Sequence, residues 1–259
     1  MIATGDNGGV DGLLLRAFAA TEQGHLAEAI EVYREVLARE PDHPLARNNL
    51  GCLLIDQNRA REAFRLFAGP DDDPSIIGNN LGYALFEAGD LGRAEQVFND
   101  LLRLDAENAT ARNHRAMIWL RCGRVDEAIG ELLRVVRERP RSLEAWNNLG
   151  CAHWKRVDLA RARESFEVAL RVDPYNVDAH NNLGCVLREL SEPEEALEEF
   201  KLAVQLDPSD PQIQLNLALT YRQLGDGRRA RSHLHRHLEL QTGDPSSEIV
   251  ALRQELETL

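Results

Sequence analysis

The sequence is poor in several features that mark particular classes of protein. Only two of its basic residues are lysines, Lys155 and Lys201, and a net charge of −13 disfavours a nucleic-acid surface, which needs clustered cations. No run of 18 apolar residues is present, so no membrane-spanning helix is predicted. The start of the chain has neither a basic region nor an apolar stretch, which argues against a secretory signal and makes the cytoplasm the expected location.

Sequence motifs for catalysis and metal binding are also missing. The four cysteines contain no Cys-x-x-Cys pair, and there is no Gly-rich phosphate loop, no Gly-x-Ser-x-Gly elbow and no His-Glu-x-x-His helix. His233 and His237 share a helix face, but packing is favoured over a metal site. The aspartates at 71–73 lack the loop length and the terminal glutamate of a calcium site. We therefore predict no enzyme, no cofactor and no metal site.

The dominant feature of the sequence is a repeat. An alanine returns at intervals of 34, 31, 34, 34, 34 and 34 residues, with a small residue 12 positions before it and a bulky apolar residue four positions after it. The alanines are Ala29, Ala63, Ala94, Ala128, Ala162, Ala196 and Ala230, and the small residues are Ala17, Gly51, Gly82, Ala116, Gly150, Gly184 and Ala218. A fixed period in this range indicates a solenoid built from one supersecondary unit.

These spacings resemble those of the tetratricopeptide repeat (TPR) family. The resemblance implies an all-α fold, a right-handed α-solenoid of about seven helix-turn-helix repeats whose first helices line a concave groove. We expect a disordered segment at 1–9, the repeats at 10–244 and a C-terminal capping helix at 245–259. The repeat at 44–74 is three residues short, and its second helix is expected to end early at the Gly, Pro and Asp residues of 69–74.

Two local predictions concern the second helices of the repeats. Ser191 followed by Glu194 has the spacing of a capping box at the start of such a helix. Alanine at positions such as 128, 162 or 196 is expected where helices cross closely, so that leucine there would overpack the interior.

Asparagine is unusually frequent in the middle of the first helices. It occurs at Asn48, Asn49, Asn79, Asn80, Asn113, Asn147, Asn148, Asn181, Asn182 and Asn216. Asparagine is a poor helix former, but its carboxamide can both donate and accept hydrogen bonds, as a peptide backbone requires. The alternative is a structural role in hydrogen bonding between helices.

The second asparagine of each pair falls at the family position that faces the groove. This series resembles the asparagine ladder in the TPR region of O-GlcNAc transferases, which holds an extended peptide by its backbone, although no strand-rich segment is predicted that would form their catalytic domain. The candidate peptide-binding asparagines are Asn49, Asn80, Asn113, Asn148, Asn182 and Asn216. Because a neutral hydrogen bond contributes only about 0.5–1.5 kcal/mol, such a ladder alone predicts weak binding.

Specificity is expected from charged residues two turns further along each first helix. Seven positions after the second asparagine the series reads Glu22, Asp56, Glu87, Arg121, Lys155, Glu189 and Gln223, with Arg188 and Arg222 beside the last two. The early repeats should therefore be acidic and the later ones more basic. We name Arg121, Lys155, Arg188 and Arg222 as candidate contacts to acidic residues of a ligand.

The sequence thus predicts a non-catalytic protein-interaction scaffold that binds an extended peptide or a partner helix. Two alternatives stay open. The chain could assemble with copies of itself, or it could be the recruitment subunit of a separately encoded enzyme such as a glycosyltransferase. The lysine-rich carboxylate clamp of chaperone-binding TPR proteins is not expected, since the corresponding positions are not lysine. The sequence does not identify the protein or peptide partner.

Overall fold

The structure is a computed structural model that describes residues 9–57, 59–67, 74–241 and 247–257. These residues form fifteen α-helices and no strand. The helices are α1 (Val10–Glu22), α2 (Leu26–Arg39), α3 (Pro44–Asp56), α4 (Ala60–Phe67), α5 (Pro74–Glu87), α6 (Leu91–Leu104), α7 (Ala109–Arg121), α8 (Val125–Glu138), α9 (Leu143–Lys155), α10 (Leu159–Val172), α11 (Val177–Glu189), α12 (Pro193–Leu206), α13 (Pro211–Gln223), α14 (Gly227–Leu240) and α15 (Ser247–Glu257). The predicted all-α fold is confirmed.

The chain divides into two compact units, with the boundary between Ile118 and Trp119 inside α7. In the second unit, α9 packs against α10, α11 against α12 and α13 against α14, and each second helix also contacts the first helix of the next pair. In the first unit, α1 pairs with α2, α3 with α4 and α5 with α6. Each unit is therefore a series of helix-turn-helix repeats, as predicted.

Short polar side chains set where several of these helices begin. Ser142 and Asn176 each accept a hydrogen bond from the backbone N–H three residues later, at the starts of α9 and α11. Asp90, Asp158 and Asp226 do the same at the starts of α6, α10 and α14. Such caps satisfy N–H groups that have no partner within the helix. The turns of the repeat are therefore specified locally.

A close approach between the two helices of a repeat explains the small residue in the period. A Cβ added at Gly150 would lie 2.6 Å from a ring carbon of Phe166, and one added at Gly184 would lie 2.7 Å from Phe200. Both rings are fully buried. Phenylalanine stands 16 positions after each such glycine, whereas tyrosine or leucine follows each alanine at the same distance: Gly51/Phe67, Gly82/Phe98, Gly150/Phe166 and Gly184/Phe200, against Ala17/Tyr33, Ala116/Leu132 and Ala218/Leu234.

The turn between the two helices of a repeat requires a residue with positive φ. Glycine supplies it at Gly24, Gly89, Gly123 and Gly225, with φ between +76° and +82°. In the fifth repeat the same place is taken by Val157, at φ +63°. This left-handed region is strained for a β-branched residue and free of strain for glycine.

The capping box predicted at Ser191 and Glu194 is wrong. Ser191 has φ +65°, so it is the left-handed residue of the turn and not a cap. Helix α12 begins at Pro193, and its N-cap is Glu192, whose side chain makes no capping hydrogen bond. The conformation of Ser191 therefore follows its position in the repeat, where other repeats have a turn glycine, and not the local Ser-x-x-Glu pattern.

Replacing Val157 with glycine is expected to stabilise the chain by about 1 kcal/mol, because the relief of left-handed strain exceeds the added backbone entropy of glycine in the unfolded chain. Thermal unfolding followed by circular dichroism measures the gain as a higher midpoint. Val157→Ala is the control: it removes the branched side chain but keeps a Cβ, so its gain should be smaller. A glycine variant no more stable than the parent chain would contradict the assignment of strain.

The shortened repeat and the C-terminal segment each contain a short helix. Helix α4 has 8 residues, whereas the second helices of the other repeats have 14. Helix α15 packs against α14, and its Ile249 and Leu252 are buried. Among the described helices, none has the length and apolar character that spanning a bilayer requires. The disorder predicted for residues 1–9 lies outside the described residues except at Gly9, which is the N-cap of α1. Of the helix-terminating segment predicted at 69–74, only Pro74 is described, and it begins α5.

Candidate functional site

Two hydrogen bonds join the asparagines of neighbouring repeats in the second unit. Nδ2 of Asn182 donates to Oδ1 of Asn147 at 3.2 Å, and Nδ2 of Asn216 donates to Oδ1 of Asn181 at 2.8 Å. In both cases the second-position asparagine of one repeat binds the first-position asparagine of the repeat before it. We call these contacts the carboxamide bridges. They are hydrogen bonds between helices, which is the structural role that the sequence analysis gave as the alternative to peptide binding.

Each bridge uses only part of the hydrogen-bonding capacity of its two carboxamides. In the first bridge, Asn147 and Asn182 are half-buried, and Nδ2 of Asn182 also lies 3.7 Å from Sγ of Cys151. Among the described residues, Oδ1 of Asn182 and Nδ2 of Asn147 have no hydrogen-bond partner. One acceptor and one donor therefore remain on a partly exposed surface. Asn216, by contrast, is 3% exposed, so the second bridge is nearly closed to solvent.

The predicted asparagines outside the bridges differ from one another in exposure. Nδ2 of Asn49 donates to the hydroxyl of Tyr33 at 3.1 Å, which ties it to the preceding repeat. Asn80 is exposed, with no hydrogen bond to any described residue. Asn113 is 3% exposed and Asn148 is half-buried. The series is therefore not a uniform row of equivalent side chains.

The four basic candidates also have different environments. Lys155 is exposed and forms no ion pair with any described residue. Arg188 is half-buried, and its Nη1 lies 3.5 Å from the backbone oxygen of Asn216, so it lies against the next repeat. The other two, Arg121 and Arg222, are exposed. Lys155 is thus the basic residue of this group best placed to meet a ligand.

The sequence analysis missed one recurring contact. The residue just before the first asparagine reaches the backbone carbonyl six positions earlier, in the turn that precedes the helix. Arg112 donates to the carbonyl of Ala106, the indole N–H of Trp146 to that of Pro140 at 3.0 Å, and Nε2 of His180 lies 3.0 Å from that of Pro174. These residue types have little in common except an N–H at the end of the side chain. The 34-residue spacing was the only signal that could have found them.

Two cysteines and two histidines of the second unit have structural environments. Burial is the main cause that raises the pKa of Cys151 and of Cys185 to about 11, so both stay as thiols at neutral pH and are poor nucleophiles. Nδ1 of His233 lies 2.9 Å from Oε1 of Gln214, and Nδ1 of His237 lies close to a backbone carbonyl. Within the described residues, no group of three potential metal ligands comes together.

Family models of the tetratricopeptide repeat match most of the chain. One model matches residues 79–142, 126–177 and 147–211, and a second matches residues 20–75 and 187–256. The chain belongs to the tetratricopeptide repeat family. The family prediction made from the alanine period is therefore confirmed, whereas the finer resemblance to O-GlcNAc transferases stays a prediction.

Individual relatives are more distant. FlbA of Caulobacter vibrioides is 32% identical over 136 residues, which cover 51% of this chain and 22% of FlbA, so the chain corresponds to about a fifth of that relative. The TPR protein TTC0263 of Thermus thermophilus superposes with a TM-score of 0.60 at 23% identity, covering 71% of this chain and all of that one. YrrB, described as a TPR protein with an unusual peptide-binding site, superposes with a TM-score of 0.54 at 20% identity over 71% of this chain and 92% of YrrB. At these identities the structures show a shared fold.

Proposed function

We propose that the chain is a cytoplasmic protein-interaction module whose second unit binds the backbone of an extended polypeptide. The proposed binding surface is the side of α9, α11 and α13 that carries Asn147, Asn148, Asn181, Asn182 and Asn216, and we call it the asparagine face. The tetratricopeptide repeat is a protein-interaction fold, which supports the general role. The observation that carries the specific proposal is the first carboxamide bridge, because it holds one unused donor and one unused acceptor in fixed positions.

The bridge contributes preorganisation as well as hydrogen-bonding groups. A free asparagine side chain rotates, and ordering it on binding opposes association. Asn147 and Asn182 are already fixed against each other, so Nδ2 of Asn147 can donate to a ligand carbonyl and Oδ1 of Asn182 can accept from a ligand N–H at little further entropic cost. Lys155 is exposed about two helical turns after Asn147 on α9, and it is the proposed contact for an acidic side chain of the same ligand.

Two further observations support this proposal. Asparagine recurs on α9, α11 and α13, and a single repeated residue type suits a contact with the peptide backbone, which is the same in every ligand sequence. YrrB, whose description names an unusual peptide-binding site, shares the fold. Peptide binding by this chain is inferred from these observations together.

The decisive experiment compares capture of polypeptides by the full chain and by the double variant Asn147→Ala/Asn182→Ala. Changing both residues removes the whole bridge, so no buried amide group loses its partner alone. We expect the double variant to recover at least tenfold less of the polypeptides that the parent chain captures, quantified by mass spectrometry. The affinity of one captured segment, made as a labelled peptide, then gives the loss directly by fluorescence anisotropy.

A matched control is available on the opposite helix of the same repeat. Ser165 in α10 is buried and donates from Oγ to the backbone oxygen of Arg161 at 2.8 Å. Ser165→Ala removes one internal hydrogen bond of similar size without touching the asparagine face, so it should leave capture unchanged. Equal recovery of the same polypeptides by the parent chain and by the double variant would show that this face does not bind them.

A further inference from the structure

The first unit presents large apolar side chains to solvent from its first helices. Exposed fractions are 74% for Leu15, 53% for Phe18, 50% for Leu45, 59% for Ile76 and 45% for Tyr83. In the second unit, by contrast, the described parts of α9, α11 and α13 expose no large apolar side chain to this extent. Apolar side chains exposed on a shared face mark interaction sites more often than scattered single residues do, and the register of the repeat tells which of these residues share a face.

These five residues occupy a few equivalent positions of the repeat. Leu45 and Ile76 both stand six residues before the small residue of the period, and Phe18 and Tyr83 both follow that residue directly. Leu15 stands two residues before Ala17, which is the position held by the second asparagine in later repeats. Positions spaced by about four and by seven residues share one face of a helix. We call the surface formed by these five side chains the apolar face.

Acidic side chains border the apolar face. Glu22 and Glu87, each four residues after the Phe18 or Tyr83 of its own helix, are exposed and form no ion pair with any described residue. Asp56, the equivalent residue of the second repeat, is bound by Arg93 at 3.0 Å and so is already neutralised. The carboxylates of Glu22 and Glu87 therefore remain available to a cation. Such a border favours Lys and Arg and repels acidic chains.

We propose that the apolar face of the first unit binds a segment of a partner protein that combines bulky apolar side chains with lysine or arginine. This goes beyond the proposed function, because the asparagine face of the second unit would recognise backbone and this one recognises side chains. A second copy of this chain is disfavoured as the occupant, because its net charge of −13 opposes approach to an acidic border.

The test uses the full chain and two synthetic probe peptides of 14 residues, each of which spans about 20 Å when helical. One peptide consists of leucine and lysine, arranged so that all its leucines lie on one face of the helix. The other has the same lysines with serine in place of every leucine. Fluorescence anisotropy at several salt concentrations measures both. We expect the leucine-containing peptide to bind at least tenfold more tightly than its serine counterpart, with an affinity that falls as salt rises.

Two pairs of variants connect this binding to the apolar face. Leu15→Gln/Phe18→Gln should weaken binding of the leucine-containing peptide at least tenfold. Tyr175→Gln removes a side chain that is 75% exposed in a turn of the second unit, and it should change this binding less than twofold. Glu22→Gln/Glu87→Gln should weaken it several-fold at low salt. Glu40→Gln/Glu164→Gln, with the same change in net charge at exposed positions elsewhere, should have a smaller effect. All these positions are on the surface, and circular dichroism checks that the variants are folded.

Several results would overturn the proposal. These are equal affinity for both peptides, unchanged binding by Leu15→Gln/Phe18→Gln, or an equal loss with Tyr175→Gln. The proposal also fails if light scattering shows a dimer of the parent chain that Leu15→Gln/Phe18→Gln dissociates, because a second copy would then occupy the face. Asn147→Ala/Asn182→Ala should leave binding of the leucine-containing peptide unchanged. The failure of one proposal is therefore distinguishable from the failure of the other.

Discussion

Replacing Gly150 with alanine is expected to destabilise the chain by about 1–3 kcal/mol, although alanine is the better helix former. The added Cβ would lie 2.6 Å from a ring carbon of Phe166 and within 2.7 Å of two more. Phe166 is fully buried, so its ring can move away only by displacing its own neighbours. Urea unfolding of the variant and the parent chain measures the difference in the free energy of unfolding.

A surface glycine provides the matched control for this prediction. Gly130 lies within α8, is exposed, and would meet nothing within 4 Å if a Cβ were added. Gly130→Ala should therefore stabilise the chain by up to about 1 kcal/mol, through helix propensity alone. If the two glycine substitutions changed stability in the same direction, the close approach of Phe166 would not be the reason for glycine at position 150.

The seventh repeat suggests how the loss at position 150 can be rescued. There the small residue is Ala218, and the residue 16 positions later is Leu234; both are buried. Gly150→Ala/Phe166→Leu transfers that pairing to the fifth repeat. We expect the double variant to be more stable than the sum of the two single changes predicts, by about 1 kcal/mol or more, because residues in contact are not additive.

Ala162→Leu is expected to destabilise the chain by up to about 3 kcal/mol. Ala162 is 0% exposed and lies in α10, which packs against both α9 and α11. Three additional carbon atoms at this point force the helices apart or force neighbouring side chains out of their preferred rotamers. The effect is measured as a lower midpoint and a smaller free energy of unfolding in urea.

Helix α10 also carries the control for this change. Ala160 lies two residues earlier and is exposed, so Ala160→Leu should alter the free energy of unfolding by no more than about 0.5 kcal/mol. The two variants have identical composition and differ only in which side of the helix carries the leucine. Equal stability of the two would contradict the inward orientation of the alanines that define the period.

The turns show where local pattern and repeat register disagree. Glycine at positions 24, 89, 123 and 225 is readable from the sequence as a turn residue with positive φ. Ser191 lacks that signature and instead formed an apparent capping box with Glu194, which the structure does not contain. In the register of the repeat, Val157 and Ser191 stand where other described turns carry glycine, and the structure gives both a positive φ. The local motif was the weaker evidence.

The asparagines show a different limit of sequence reasoning. Their position on the first helices follows from the period, but the sequence does not say which atoms of Asn147 and Asn182 bind each other and which stay available. That depends on the separation of neighbouring first helices, which is set by the packing of α9, α10 and α11. The same holds for Arg188, whose place beside the backbone of Asn216 no spacing rule predicts.

The sequence by itself determined the repeat, its family and the small residue at each helix crossing, because all three are periodic and depend on side-chain volume and helix geometry. Only the tertiary structure decided which of the periodic polar residues are joined between repeats and which apolar residues remain exposed. Both depend on distances between helices that are far apart in the sequence, and a pattern of residue types contains no such distances.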